Sequence, residues 1–343
     1  MGVKRQHAVT LKDVARATGY SANTVSHALA DKSDISEKTK QLIRAKAEEM
    51  GYVGNAFASS LRSGVSRLVA VIVGDIANPH FSILIKEIEQ LLGKKGYTVI
   101  VFNTEEKQAA ERRAVLAALG QNVAGIILCP SPESAGNVAL LQERKIPFVL
   151  IGRHLPGSGA DSVVCDDRGS GLLAVRYLLE RGHRKILFLN GNPKISSAEE
   201  RQQGFFDALE EAGIAPEPGM VRTVPVTAEK SRGLIPGMLA EGSFTAILAF
   251  SDLLAWESVC ALKELGRAVP ESCSVIGFDN IQSRFSYPLK LTSVSSSKAT
   301  MAGQAVEVLL RRIAEPELPP QEIVLPTRII EGETVREIGG VEA

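Results

Sequence analysis

Three residues near the beginning of the chain have side chains suited to reading base pairs in DNA. Ala22, Asn23 and His27 fall on the outward face of a short predicted helix, 22–29. An asparagine amide can pair with adenine through two hydrogen bonds, and a small apolar side chain can contact a thymine methyl group. Hydroxyl side chains suited to phosphate contacts lie at or near helix starts: Thr10, Ser21, Thr24 and Ser26. The alternative interpretation is a helical bundle whose exposed residues are simply polar.

The spacing of three small or apolar residues predicts the element that would position these side chains. Ala15 is small enough for two helices to cross closely, and Gly19, four residues on, can take the positive φ of a tight turn. Val25, six residues further, would pack beneath the crossing. This arrangement is typical of a helix-turn-helix, whose second helix enters the major groove. We expect three helices here, at 11–18, 22–29 and 37–50.

The charge distribution supports a DNA-binding N-terminal segment. The 343-residue chain has a formal net charge of zero, but its first 67 residues hold 11 Lys and Arg against 6 Asp and Glu. The remainder is correspondingly acidic, which is expected if only the basic segment meets phosphate. A solvated basic surface is the alternative.

From residue 68 onward, apolar strands alternate with helices. Strands that are apolar throughout indicate parallel sheets covered on both faces. Two series of similar size predict two doubly wound parallel sheets in two lobes, with a ligand cleft between them at the carboxyl ends of the strands. We expect the chain to cross between lobes near 162, 291–295 and 321–324. The first lobe would then comprise about 67–161 and 296–322, and the second about 162–291 and 323–343.

Other classes of protein lack support in the sequence. The four cysteines are scattered without metal-binding spacing, so no metal and no cofactor is expected. No nucleophile elbow, P-loop, zinc-protease or dinucleotide motif is found, which argues against an enzyme. The N-terminus lacks the apolar core of a signal peptide, and no apolar run is long enough to span a bilayer. We therefore expect a soluble, cytoplasmic protein with no membrane partner.

The chain resembles the lactose-repressor/galactose-repressor family of transcriptional regulators over essentially its whole length. In the headpiece the resemblance rests on Thr10-Leu-Lys-Asp-Val-Ala, Thr24-Val-Ser, Ser36-x-x-Thr39 and Met50-Gly-Tyr. It implies an all-α helix-turn-helix headpiece (1–53), a hinge helix and linker (54–66), and an α/β two-lobed periplasmic-binding-protein-like domain (67–343). It also implies a homodimeric repressor that binds double-stranded operator DNA.

The resemblance further implies a hinge helix that enters the minor groove. Leu61 would be the residue that wedges a base step open, and Ala58 would pack against its dimer mate. Asn55 begins the segment, and we expect it to contact DNA as well. Family members usually carry proline where this chain has Gly54, so we expect hinge folding to depend more strongly on DNA here.

The effector-binding residues are likewise those that the resemblance implies. They follow successive strands and would line the cleft between the lobes: Asp75, Asn78, His80, Phe81, Arg153, Arg201, Ser251 and Asp279. Aromatic faces suit the C–H surfaces of sugars, and arginine suits hydroxyl pairs or a carboxylate. The set fits either a neutral sugar or an anionic sugar derivative.

The direction of the effector response is open at this point. Release from DNA on effector binding is the commoner behaviour in the family that the chain resembles, and corepression is the alternative. A transport-binding protein would share the two lobes but not the headpiece, and a constitutive architectural DNA binder would not need a cleft.

Overall fold

The computed structural model describes residues 9–53, 66–284 and 288–339. The chain divides into two compact units between Ser66 and Arg67. Within the described ranges, no helix combines the length and apolar character needed to cross a membrane. No group of His, Cys, Asp and Glu in those ranges is arranged to hold a metal ion.

The first unit contains three short helices around a small apolar core. Each helix begins after a hydroxyl residue whose side chain accepts a hydrogen bond from a backbone N–H of the first turn. Val14, Val25 and Ile43 are fully buried at its centre. The helices are α1 (Leu11–Thr18), α2 (Ala22–Leu29) and α3 (Glu37–Glu49).

The second unit is built on two six-stranded sheets, and each sheet with its helices is called a lobe. The first-lobe strands are β1 (Leu68–Val73), β2 (Thr98–Asn103), β3 (Gly125–Leu128), β4 (Phe148–Ile151), β5 (Ser162–Cys165) and β11 (Glu322–Leu325). Their order is β11-β5-β4-β3-β1-β2, and all neighbours are parallel. The helices are α4 (Pro79–Lys94), α5 (Gln108–Gly120), α6 (Ala135–Glu143) and α12 (Lys298–Ala314).

The second lobe repeats this design. Its strands are β6 (Ile186–Asn190), β7 (Val221–Thr223), β8 (Ala246–Ala249), β9 (Ser274–Phe278), β10 (Thr292–Ser295) and β12 (Arg328–Ile330). The order is β12-β10-β9-β8-β6-β7, with β12 antiparallel to β10 and the other neighbours parallel. The helices are α7 (Asp167–Glu180), α8 (Ser196–Glu211), α9 (Ala228–Ser231), α10 (Ile235–Ala240) and α11 (Asp252–Glu264).

The predicted lobe boundaries were wrong at two strands. Ser162–Cys165 was expected to open the second lobe, but it lies in the first sheet, where Ser162 pairs with Leu150 of β4. Glu322–Leu325 was divided between the lobes, but it too lies in the first sheet, beside β5. A short apolar strand fits either sheet, so its composition does not identify its neighbour.

The crossings between lobes consequently differ from those expected. Thr292–Ser295 was expected to be a crossing loop, but it is strand β10 of the second sheet. The chain passes between the lobes after Cys165, after Ser295 and after Leu325, at the ends of strands. All three passages therefore lie at the carboxyl ends of strands, on the same side as the expected cleft.

A buried ion pair fixes the edge of the first lobe. The Arg312 Nε lies 2.8 Å from Asp161 Oδ2, and the Arg312 guanidinium also donates to the carbonyl oxygens of Pro316, Leu318 and Pro319. The Asp161 carboxylate accepts a further bond from Gln321 N. One guanidinium thus anchors the turn that leads into β11, because its donors are fixed in a planar fork.

Replacing Arg312 with alanine should lower the free energy of unfolding by about 3 kcal/mol, since Asp161 would be left buried without a cation. Arg311→Ala is the matched control, because Arg311 is exposed on the same helix. Urea unfolding of the two variants measures the difference. Equal stability of the two variants would show that this ion pair does not anchor the turn.

Candidate functional site

The turn between α1 and α2 has the geometry that the sequence predicted. Gly19 has a φ of +71°, where any side chain would be strained. Ala15 is 8% exposed and Val25 is fully buried. The two helices are therefore held in a fixed crossing with the first turn of α2 at the surface of this unit.

The residues predicted to read bases differ in their exposure. Asn23 is exposed, whereas Ala22 and His27 are half-buried. Ala22 packs against the apolar core of the three helices. The His27 Nδ1 lies 2.5 Å from Asp34 Oδ2, and the hydrogen bond from His27 lowers the pKa of Asp34. Asn23 is therefore the best-presented base-reading candidate, and His27 would have to leave Asp34 to join it.

Three of the four hydroxyl residues predicted to contact phosphate lie at helix starts and form hydrogen bonds there. The Thr10 hydroxyl lies 2.6 Å from Asp13 Oδ2 and accepts from Asp13 N, which forms a capping box. Ser21 Oγ accepts from Thr24 N at 3.1 Å, and the two hydroxyls lie 2.9 Å apart. Ser26 is half-buried. Contact of these groups with phosphate stays a prediction.

The predicted hinge lies almost wholly outside the described residues. Asn55, Ala58 and Leu61 fall in the range 54–65, so their predicted contacts with DNA and with a second copy are not addressed by the structure.

The two lobes enclose a cavity of about 60 Å³ at the carboxyl ends of their strands. All eight residues predicted to bind an effector line it: Asp75, Asn78, His80, Phe81, Arg153, Arg201, Ser251 and Asp279. Strand order reverses beside β1 and beside β6, and such switch points are where open α/β sheets bind ligands. The structure thus brings the eight together, and their binding of an effector stays a prediction.

Arg153 is held by a carboxylate that the sequence analysis did not identify. Its two terminal nitrogens lie 2.7 and 2.9 Å from the carboxylate oxygens of Glu106, and it also donates to Pro130 O. Burial opposes the charge, but the Glu106 carboxylate raises the pKa of Arg153. A Cβ on Gly74 would lie 2.0 Å from Glu106 Oε1. A side chain at position 74, directly after β1, would push the Glu106 carboxylate out of this position.

Arg201 is paired in the same manner in the second lobe. Its Nε lies 2.8 Å from Asp167 Oδ1, and it donates to Phe250 O at 2.6 Å. The guanidinium carbon is 4.2 Å from the ring centroid of Phe278, which permits a cation–π interaction. Burial raises the pKa of Asp167, against the attraction of the Arg201 charge.

The close crossing of α7 and α8 makes the Arg201–Asp167 pair possible. A Cβ on Gly171 would lie 2.3 Å from Arg201 O, and one on Gly204 would lie 2.0 Å from Arg168 O. Each helix therefore has a glycine where it meets the backbone of the other. The first turns of both helices reach the cavity side by side.

A third pair joins the two lobes directly. His80 Nδ1, at the start of α4, lies 3.2 Å from Asp279 Oδ1, which follows β9. Although burial opposes it, the charges of His80, Arg201 and Lys298 lower the pKa of Asp279. Asp279 has a φ of +99°, which is strained for a residue with a side chain. The residue with the strained backbone is thus the one whose carboxylate lines the cavity.

The remaining predicted residues form the walls of the cavity. Asn78 and Ser251 each cap a helix, since Asn78 Oδ1 accepts from His80 N and Ser251 Oγ accepts from Leu254 N. Phe81 is 6% exposed and meets the His80 ring edge-on, with 5.1 Å between centroids. Asp75 is half-buried in the loop after β1.

One buried thiol, one half-buried thiol and one buried carboxyl near the cavity are largely uncharged at neutral pH. Burial raises the pKa of Cys129 to about 12 and that of Cys165 to about 11. Burial and the neighbouring Asp279 raise the pKa of Asp252 to about 8. Asp252 accepts from Ile281 N and Ser293 Oγ, so it supports the loop that presents Asp279.

Sequence reasoning missed Glu106 and Asp167, which balance the two arginines. Asp167 follows β5, at the end of the strand that the sequence analysis placed in the wrong lobe. Glu106 lies in the loop after β2 with a φ of +55°. Both closely follow a strand, as do Arg153 and Asp279, so a search of every strand end for charged side chains would have found them.

Polar contacts at the rim hold the lobes together in this conformation. His154 follows β4 of the first lobe, and its Nε2 lies 2.5 Å from Glu200 Oε1 on α8 of the second. His154 N also donates to Ser196 Oγ. Two further pairs bridge the lobes, Glu133 with Lys194 and Glu87 with Arg284. A cavity of about 60 Å³ is small for a ligand site, so entry of an effector requires these contacts to open.

The His154 contact predicts a pH dependence of stability. The hydrogen bond to Glu200 raises the pKa of His154, against burial, and the charges of Glu322 and Asp167 act in the same direction. A raised pKa means that the contact stabilises the folded state fully below the unfolded pKa of about 6.5 and is lost as pH rises through the folded pKa. The difference in unfolding free energy between wild type and His154→Gln should reach about 1 kcal/mol at low pH and shrink above neutrality.

A difference measurement is needed because a second histidine acts in the opposite direction. Burial lowers the pKa of His183, so its contribution is lost as pH falls. Subtracting His154→Gln from wild type cancels that contribution. The Glu200→Gln background is the control: there, removing His154 should leave only a small pH-dependent difference. An unchanged difference in that background would mean that Glu200 is not the partner responsible.

Comparison with known proteins matches each unit to a known domain type. Residues 10–55 match the family described as bacterial regulatory proteins, lacI family. Residues 175–335 match the periplasmic binding protein-like domain. The transcriptional regulator GalR of Escherichia coli (strain K12) is 32% identical over 312 residues, which cover 90% of this chain and 91% of GalR.

Solved structures give the same assignment. A Lac repressor dimer bound to operator and the anti-inducer ONPF has a TM-score of 0.82 and 25% identity, covering 96% of this chain and 100% of that one. A LacI family regulator from Enterococcus faecium with bound ribose has a TM-score of 0.69 and 27% identity, covering 79% and 100%. This chain therefore belongs to the lacI family of bacterial regulatory proteins.

Proposed function

We propose that this chain is a homodimeric transcriptional repressor that binds operator DNA through α2 and responds to a small sugar-like effector in the cleft between its lobes. A member of this family is a DNA-binding regulator and not an enzyme. Because its target is operator DNA, we place its action in the cytoplasm. The observation that carries the proposal is the presence, in one chain, of a helix-turn-helix with an exposed amide and a separate cavity lined by buried polar groups.

The DNA-binding part of the proposal is supported by the order of the headpiece. Side-chain caps and the Gly19 turn fix α2 before DNA is met, so little ordering is required on binding. Two headpieces in a dimer would read two half-sites of a pseudo-palindrome, and each would raise the effective concentration of the other. The Lac repressor structure was determined as a dimer on its operator, which is the arrangement we propose here.

The effector part of the proposal is supported by the lobe geometry. A ligand that contacts both arginines spans the two lobes, since Arg153 follows β4 and Arg201 lies on α8. Such a ligand has different affinities for open and closed arrangements, and this difference is what couples it to DNA. The regulators with bound ribose and with cellobiose are relatives of known structure, which favours a carbohydrate. For the direction of the response we propose the commoner one, in which effector binding releases the protein from DNA.

Asn23→Ala should weaken binding to the preferred operator by ten- to a hundredfold, about 1–3 kcal/mol, with nonspecific binding unchanged. The operator is first selected from a random duplex pool, and affinity is measured at fixed salt. Gln41→Ala is the matched control, because it removes an exposed amide from α3 instead of α2. Equal affinities of the two variants for the selected duplex would exclude Asn23 as a base reader.

Arg201→Ala should abolish the effector response, with at least a hundredfold loss of effector affinity, about 3 kcal/mol, while operator binding persists. The effector is identified beforehand by its stabilisation of the folded protein in thermal unfolding. Arg168→Ala is the control, since Arg168 pairs with Asp207 on the outside of the same helix pair.

Because Arg201→Ala leaves Asp167 buried without its partner, the double variant Arg201→Met, Asp167→Asn accompanies it and keeps the pair neutral. A full effector response in this folded double variant would contradict the assignment of the cleft as the effector site.

A further inference from the structure

We infer that the cleft accepts an uncharged polyhydroxy ligand and excludes phosphorylated and carboxylated ones. The inference rests on the proposed function of the cleft and names the chemical class of its effector. The sequence alone left neutral and anionic sugars open, because two arginines suit either. The structure adds the partners of those arginines.

Both cleft arginines already have carboxylate partners in geometry that uses their donors. Arg153 binds both oxygens of Glu106 and the Pro130 carbonyl. Arg201 binds Asp167 and the Phe250 carbonyl. A phosphate or carboxylate that came to either arginine would meet a guanidinium whose charge is balanced.

The fixed charges of the cavity lining are predominantly negative. Four carboxylates line it, Asp75, Glu106, Asp167 and Asp279, against the two arginines. His80 faces Asp279 and offsets one carboxylate at most. Lys298, at the start of α12, donates to the Asp279 backbone carbonyl. Even with Lys298 and His80 counted as cations, the region has no net positive charge, so an anionic ligand would lose its hydration there without a net attraction to offset the loss.

Displacement of a resident carboxylate by the ligand is also unfavourable. The Asp167 side chain is 4% exposed and is attached to the first turn of α7, so it cannot swing into solvent without moving the helix. The Glu106 side chain is 11% exposed and binds Arg153 through both carboxylate oxygens. A displaced carboxylate would stay buried without a cation, which costs several kcal/mol.

A neutral polyol makes better use of the same lining. The carboxylate oxygens can accept hydroxyl hydrogens, and any of the five guanidinium N–H donors that the carboxylate and carbonyl partners leave unused can donate to hydroxyl oxygens without a change in net charge. Phe81 and Phe250 supply apolar faces, and Cys129 and Cys165 are neutral. Hydroxyl pairs and C–H faces are the two surfaces that a sugar presents.

The test compares matched neutral and anionic probes on the full-length protein at equal ionic strength. Glucose, glucose 6-phosphate, glucuronate and inorganic phosphate are titrated in thermal unfolding, together with a wider panel of neutral sugars. In wild type we expect no specific stabilisation by the three anions. Asp167→Asn frees Arg201 and should raise the affinity for inorganic phosphate at least about tenfold. Glu106→Gln should do the same through Arg153, in the other lobe.

Asp207→Asn is the matched control. It frees Arg168 in the same way, but on the outer surface of α7 and α8, where Asp207 is 31% exposed and solvent screens the charge. It should leave phosphate affinity unchanged. A comparable gain in Asp207→Asn would show that the effect arises at the surface and overturn the inference.

Two other results would overturn it. One is a wild-type affinity for an anionic probe that exceeds that for its neutral counterpart and is lost in Arg201→Ala. The other is unchanged phosphate affinity in both folded variants, Asp167→Asn and Glu106→Gln. These outcomes are separable from failure of the proposed function. If an anion binds the cleft and releases the protein from DNA, only the inference about ligand charge is wrong. If a neutral sugar binds without changing operator affinity, only the proposed regulation is wrong.

Discussion

Two guanidinium groups buried between two lobes set the main physical constraint on this protein. Removing a charged group from water costs several kcal/mol, and only a well-placed opposite charge offsets that cost. Arg153 and Arg201 are 6% and 9% exposed, and each has its carboxylate within hydrogen-bonding distance. The neighbouring backbone is arranged to allow this, through the missing side chains of Gly74, Gly171 and Gly204.

This constraint links the local structure of each lobe to the opening and closing of the cleft between the two lobes. Each arginine is satisfied within its own lobe, Arg153 by Glu106 and Arg201 by Asp167. Opening of the cleft therefore breaks neither pair. The contacts that opening must break lie elsewhere: His80 with Asp279, His154 with Glu200, Glu133 with Lys194 and Glu87 with Arg284. The three pairs at the rim are partly exposed, so each of them contributes modestly. The lobes can then separate and close at small cost, as a ligand-operated switch requires.

The headpiece differs from the cleft in that its helices are already folded before DNA binds. Its three helices are short, and isolated helices of this length are unstable in water. Capping by Thr10, Ser21 and Ser36 satisfies the first-turn N–H groups, and burial of Val14, Val25 and Ile43 supplies the core. One headpiece would present a single short helix to the major groove, so we expect its affinity alone to be limited. Dimerisation through a larger domain would supply the rest by effective concentration.

Much of this arrangement could be predicted from the sequence because the signals are local. The three headpiece helices follow from caps, apolar spacing and one glycine, and α2 begins and ends where the pattern indicated. Apolar strands between helices predicted two parallel sheets, and residues that follow those strands were expected at one edge. The family resemblance named Arg153, Arg201 and Asp279 as cleft residues. Arg153 and Asp279 reach the same cavity because the carboxyl ends of parallel strands share an edge.

The sequence by itself therefore determined which segments are helices and strands, and which residues stand at the strand ends. Tertiary structure decided which sheet each short strand joins, because Ser162–Cys165 and Glu322–Leu325 are apolar enough for either and only pairing with β4 and β5 selects one. It also decided the charge of the cleft. Glu106 and Asp167 are ordinary polar residues in the sequence, and only the folded chain brings them to the arginines, where a buried charge requires a partner.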